Sequence, residues 1–147
     1  MRPKVEVADE AIKPGVFVAD DFSPDTARLR GTRCGRCAEV FFPARESCPR
    51  CHVRGEMLEV ALARTGKIGA ITAVARPPQH YAAPYWLAEI ELPERVRLLA
   101  QVDASLDQPI PVGALVELTT RPLLPRPHGQ WLWGYVFAPI EGPGEPT

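Results

Sequence analysis

No stretch of this 147-residue chain is apolar for long enough to cross a membrane as a helix. Met1–Val7 (MRPKVEV) puts no apolar run behind its positive charges, so no secretory signal is expected and a cytoplasmic setting is. Neither sign of charge is in excess. Seventeen Lys and Arg face eighteen Asp and Glu, a formal net charge of −1, which argues against a generic nucleic-acid binder. No G-x-S-x-G, P-loop or G-x-G-x-x-G occurs. Histidine is scarce, at three residues. His80 and His128 fall in loops and read as solvated side chains rather than general bases. Asp20-Asp21 reads as a turn or cap. Glu89 and Glu91 share a strand face and read as its wet side. No catalytic residue is assigned to this chain.

Cysteine is also scarce, but its placement is informative. Four are present, as Cys34 and Cys37 in CGRC and Cys48 and Cys51 in CPRC. Two such knuckles, with no cysteine left over, read as a tetrahedral thiolate metal site. Two residues between cysteines let one tight turn aim both sulfurs at one ion. Gly35 suits the first knuckle if a positive φ is needed there, and Pro49 stiffens the second. A disulfide framework would want an oxidising compartment, and a redox pair would use a single C-x-x-C. Zinc is expected as a structural ion; iron in a rubredoxin-like site is the alternative. Catalytic zinc keeps one position open, and four thiolates leave none. His52, beside Cys51, is a bystander.

Charge is distributed unevenly. Met1–Ala27 carries a net −3, Arg28–Lys67 a net +5, and the remainder a net −3. The metal segment is therefore a basic block, built on Arg28, Arg30, Arg33, Arg36, Arg45, Arg50 and Arg54. It is either a solvated surface or a contact for a phosphate-bearing ligand or acidic partner.

Proline is abundant, at 17 residues, and disfavours long helices and central strands wherever it clusters. Gly15–Ala19 reads as a short extended piece, and Asp20–Asp25 as a turn that starts one helical turn at Thr26–Leu29. Phe41, Phe42 and Pro43 are expected beside the metal. From Leu58 the apolar period becomes two, in runs at Leu58–Ala63, Lys67–Ala75, Tyr85–Leu92, Val96–Val102, Ala114–Thr119 and Trp131–Phe137. Trp131, Trp133, Tyr135 and Phe137 are expected on one side. Pro93-Glu94-Arg95 is the expected hairpin turn and Arg121–Gln130 a proline-rich loop. The fold expected is mainly β: a rubredoxin-like zinc ribbon followed by a five-stranded OB-fold barrel, with an SH3-like barrel as the alternative by strand count. The divisions are an N-terminal arm at 1–29, the ribbon at 30–57, the barrel at 58–140 and a disordered tail at 141–147.

Ribbon and barrel together resemble the zinc-ribbon OB-fold proteins, a family long catalogued as a domain of unknown function. The resemblance rests on Arg30–Cys51 (RGTRCGRCAEVFFPARESCPRC), Thr65–Pro78, Pro84–Asp103 and Val112–Thr119, and covers roughly Arg30–Pro139. Members differ from this chain in two places. Many carry an aromatic helix before the ribbon, where this chain has the shorter, acidic DDFSPDTARLRG, and the usual hairpin turn carries a glycine. The resemblance implies a non-catalytic accessory subunit, most often beside a thiolase-type acyltransferase acting on a bulky, aromatic or steroid-like acyl-CoA. Coenzyme A or its acyl form would lie at or near the interface. A MaoC-type enoyl-CoA hydratase or a thiolase-like aldolase is the alternative partner. A single-stranded nucleic-acid-binding module is the alternative from another class, although its barrel half would be acidic. The residues that would contact coenzyme A are not assigned.

Overall fold

The computed structural model describes residues 9–76 and 84–140. The readings of Met1–Val7, Pro77-Pro78, His80 and the tail at 141–147 lie outside them. Among the described residues nine strands form two sheets. A three-stranded sheet contains β2 (Arg30–Cys34), β3 (Val40–Phe41) and β4 (Met57–Ala61), in the order β3-β2-β4. The larger sheet contains β1 (Glu10–Ala11), β5 (Thr65–Val74), β6 (Tyr85–Glu91), β7 (Arg97–Val102), β8 (Leu115–Pro125) and β9 (Trp131–Pro139). Its order is β1-β9-β7-β6-β5-β8, and β9 also pairs with β8. That last pairing closes β5 to β9 into a five-stranded barrel. The parallel contact of β7 with β9, among otherwise antiparallel barrel neighbours, is the Greek-key closure of an OB-fold.

Alternation fills the barrel as the period-two pattern requires. Ala88 and Ile90 of β6, Leu98, Ala100 and Val102 of β7, and Leu92 and Val96 at the turn between them are all buried. Ile68, Val116, Leu118 and Phe137 complete the interior. Gly66 sits where a Cβ would stand 2.8 Å from the Glu91 carbonyl oxygen, so only glycine lets β5 enter that close to β6.

Four expectations change. The run at Leu58–Ala63 forms a strand at Met57–Ala61, but its partner is β2, in the ribbon sheet. Leu58, which opens that alternating run, lies opposite Arg33 and is 49% exposed. The proline-rich stretch after Thr119 is not all loop, because β8 continues to Pro125, paired with β9 around an irregularity between Pro122 and Leu124. Proline is tolerated there because this part of β8 has only one partner strand, and a missing N–H on the open side costs nothing. No helical turn forms at Thr26–Leu29: Leu29 bridges Phe17, and both are buried. Finally, the aromatic row of β9 is not one uniform face. Trp133 and Phe137 are buried and Tyr135 half-buried, while Trp131 is 39% exposed.

From Asp9 onward the N-terminal arm lies on the protein. β1 runs parallel to β9, and buried Asp9 accepts hydrogen bonds from the Trp131 amide (3.0 Å) and the Trp133 indole (2.9 Å). Asp21 caps the following turn, accepting from the Ser23 amide (2.9 Å) and the Thr26 hydroxyl (2.7 Å). Burial pushes its carboxyl up, but these donors outweigh it and hold the pKa below the usual value.

Candidate metal centre

The two knuckles repeat one backbone design. In the first, the Cys34 amide donates to the Glu39 carbonyl (2.9 Å) and the Ala38 amide to the Cys34 carbonyl (2.9 Å). In the second, the Cys48 amide donates to the Val53 carbonyl (3.0 Å) and the His52 amide to the Cys48 carbonyl (2.7 Å). The positive φ of each knuckle falls on the residue after its second cysteine: Ala38 at 66° and His52 at 61°. Gly35, expected to supply that φ, does not. Its role is close approach, since its amide donates to the Glu56 carbonyl (2.8 Å) and a Cβ there would stand 2.9 Å from that oxygen. His52 therefore contributes backbone shape to the site while its side chain stays outside the sulfur cluster.

The result brings Cys34, Cys37, Cys48 and Cys51 together, every sulfur within 4.8 Å of the others. Cys37 Sγ and Cys48 Sγ are 3.7 Å apart. Four thiolates about 2.3 Å from a tetrahedral ion would stand about 3.8 Å from one another, so the donor set fits such an ion. Cys34 and Cys48 are buried, and Cys37 and Cys51 half-buried, with Phe41, Val53 and Met57 packed around them. Phe41 is beside the cluster as expected. Phe42 instead packs edge-on against Tyr135 of the barrel, with ring centroids 5.8 Å apart at 82°.

Backbone amides point at the sulfurs. The Cys37 and Arg36 amides donate to Cys34 Sγ (each 3.4 Å), and the Cys51 amide to Cys48 Sγ (3.3 Å). The Cys37 amide in particular lowers the Cys34 thiol pKa to about 7. Cys51 is pushed up to about 12, foremost by its contact with Cys37 and then by burial. Amide donors thus favour the Cys34 thiolate, while the contact with Cys37 and burial favour the protonated form of Cys51.

The basic block is less open than its sequence implies. Arg30 pairs with Glu59 (2.6 Å), Arg36 with Glu56 (3.4 Å) and Arg50 with Glu39 (3.4 Å). Arg28 donates to the Leu62 carbonyl (3.0 Å). Arg45 lies over the Phe41 ring, 5.8 Å from its centroid. Arg33 and Arg54 are exposed, with no carboxylate partner among the described residues. Arg45 and Arg54 line one shallow depression with Arg30, Thr32 and Glu59.

Residues 24–57 match the family described as ChsH2, rubredoxin-like zinc ribbon domain, and residues 59–121 match ChsH2, C-terminal OB-fold domain. A DUF35 domain-containing scaffold protein of Methanocaldococcus jannaschii is 35% identical over 116 residues, 77% of this chain and 82% of that protein. The chain belongs to the DUF35 family. Benzoylsuccinyl-CoA thiolase subunit BbsA of Geobacter metallireducens is 34% identical over 95 residues, 65% of this DUF35 chain and 63% of that protein. Among solved structures, a chain of the Ltp2-ChsH2(DUF35) aldolase superposes with a TM-score of 0.62 at 28% identity, covering 76% of this chain and 84% of that one. No helix among the described residues is long and apolar enough to cross a membrane.

Proposed function

We propose that this DUF35 chain is a non-catalytic subunit of an acyl-CoA-processing complex in the cytoplasm. Its catalytic partner is a thiolase-type acyltransferase acting on a bulky, aromatic or steroid-like acyl-CoA. The observation that carries this reading is the likeness to a benzoylsuccinyl-CoA thiolase subunit. Cys34, Cys37, Cys48 and Cys51 hold a structural zinc ion whose filled shell leaves no position for substrate. A cleft of about 460 Å³ supports a docking role, since arm (Ile12), ribbon (Phe42, Pro43) and barrel (Leu99, Tyr135) converge on it and Leu99 is 62% exposed. Arg33, Arg45 and Arg54 are the ribbon cations without a carboxylate partner among the described residues, and we assign to them the phosphates of coenzyme A at the interface.

The test is to co-express and co-purify the chain with a thiolase-like protein of the same organism. A stable hetero-oligomer is expected, with thiolysis in the complex and none from this chain alone. Replacing Arg33 and Arg54 by Glu is expected to raise KM for the acyl-CoA several-fold and leave kcat unchanged. A catalytic subunit that is fully active and never associates with this chain would refute the reading. The likeness to the Ltp2-ChsH2(DUF35) aldolase favours a second reading, in which the partner is an aldolase. Carbon–carbon cleavage without added coenzyme A would distinguish it.

A further inference from the structure

β5 runs out of the barrel part-way along its length. Thr65, Gly66 and Lys67 pair with β8, and Ile68 exchanges backbone hydrogen bonds with Gly113 (2.7 Å) and Ala114 (3.0 Å). The ladder then shifts between Ile68 and Ala70, and from Ala70 to Val74 the strand pairs with β6 alone among the described residues. The other edge of Ala70-Ile71-Thr72-Ala73-Val74 is a row of main-chain N–H and C=O groups with no strand beside it among the described residues. Ala70, Thr72 and Ala73 are exposed. Natural edges are blunted by lysine, proline, inward charge or a bulge. Between Ala70 and Ala75 this edge has no charge and no proline, and its bulge lies at the foot, not along it. Ile71, Thr72 and Val74 are good strand formers.

The charges around the edge select its occupant. Lys67 at the foot and Arg76 at the tip are both exposed, and neither is in an ion pair among the described residues, Lys67 standing opposite Glu91 in the β6 register. A second copy of this chain, laid antiparallel so that the two segments overlap fully, would set Thr72 against Thr72. It would also bring Arg76 of each copy beside Ile68 and Lys67 of the other, a like-charge encounter at both ends. An extended segment with a carboxylate at each end meets opposite charges instead.

We infer that the Ala70–Val74 edge is a strand-addition site for an extended segment of another protein, uncharged over about five residues and flanked by carboxylates. Main-chain hydrogen bonds supply the affinity, and Lys67 and Arg76 set the register. The inference is independent of which enzyme the chain serves.

The experiment is an NMR titration of the full-length protein with the end-capped peptide Glu-Val-Thr-Val-Thr-Val-Glu. Amide shifts and slowed hydrogen exchange are expected at Ala70–Val74. Of two versions of the peptide N-methylated at alternate residues, one is expected to bind roughly tenfold or more weakly and the other to bind like the parent, because each blocks one peptide edge. A Lys-ended version is expected to bind several-fold more weakly, by a margin that shrinks as salt is added. Perturbations centred elsewhere, absence of binding at millimolar peptide, or equal binding by both N-methylated versions would overturn the inference. So would a Lys-ended peptide that binds as well as the Glu-ended one, or a concentration-dependent dimer that protects the same amides.

Discussion

At the residue scale the metal centre depends on side chains and backbone that do different work. The cysteines supply sulfur, while Ala38 and His52 supply the left-handed φ that turns each knuckle. Cys48→Ser is expected to abolish stoichiometric zinc, measured by metal analysis, and to collapse amide protection in β2 and β4. Zinc in such sites contributes about 10–16 kcal/mol of apparent binding energy, more than so small a sheet can replace. Binding needs thiolates, so zinc affinity is expected to fall as pH drops, most steeply below the value of about 7 at which Cys34 regains its proton. A competition titration with a chelator across pH 6 to 8 (roughly the range in which zinc thiolates compete with protons) would show it. Gly35→Ala places a methyl 2.9 Å from the Glu56 carbonyl and is expected to cost about 1–3 kcal/mol, read as a lower Tm. The cysteines announced the site by their spacing. The role of Gly35 did not show, because nothing local to CGRC indicates that Glu56 returns against it.

At the element scale the hairpin between β6 and β7 shows how one irregular residue can be tolerated. The Arg95 amide donates to the Leu92 carbonyl (3.0 Å), and the Leu92 amide to the Val96 carbonyl (2.8 Å). Arg95 then takes φ 67°, the position glycine usually occupies in a three-residue hairpin loop. Arg95→Gly is expected to raise stability by up to about 1 kcal/mol, checked by chemical denaturation, because it removes the left-handed penalty. Pro93-Glu94-Arg95 was legible as a turn, and the flanking strands were legible from their alternation. The continuation of β8 through Pro122 to Pro125 was not, because proline argues against a strand unless the partnerless edge is known. The pairing of β4 with β2 was equally hidden, since alternation reveals a strand and not its neighbour.

At the scale of the whole molecule, arm, ribbon and barrel are tied through the short link Leu62–Arg64. The Leu62 amide donates to the Leu29 carbonyl (2.9 Å), and the Ala63 amide to Glu94 Oε2 (2.7 Å). The Arg64 guanidinium donates to the carbonyls of Ala27, Pro24 (3.2 Å) and Leu118 (2.8 Å), joining the turn before the ribbon to the barrel. Arg64→Met is expected to destabilise the protein by about 2–3 kcal/mol, since hydrogen bonds from a charged donor are the stronger ones and the abandoned carbonyls are partly buried. Because this link couples ribbon and barrel, calorimetry is expected to show one unfolding transition in the native protein and two separate steps in Arg64→Met. The sequence by itself determined the thiolate cluster, the absence of long helices and the run of barrel strands, because ligand spacing and apolar alternation are local properties of the chain. Only the tertiary structure decided that the N-terminal arm joins β9, that β4 belongs to the ribbon sheet and that Arg30, Arg36 and Arg50 are already paired. It also decided that, among the described residues, Ala70–Val74 pairs on one side only. Each of these depends on which distant backbone lies alongside, and long-range pairing leaves no periodic trace in either partner.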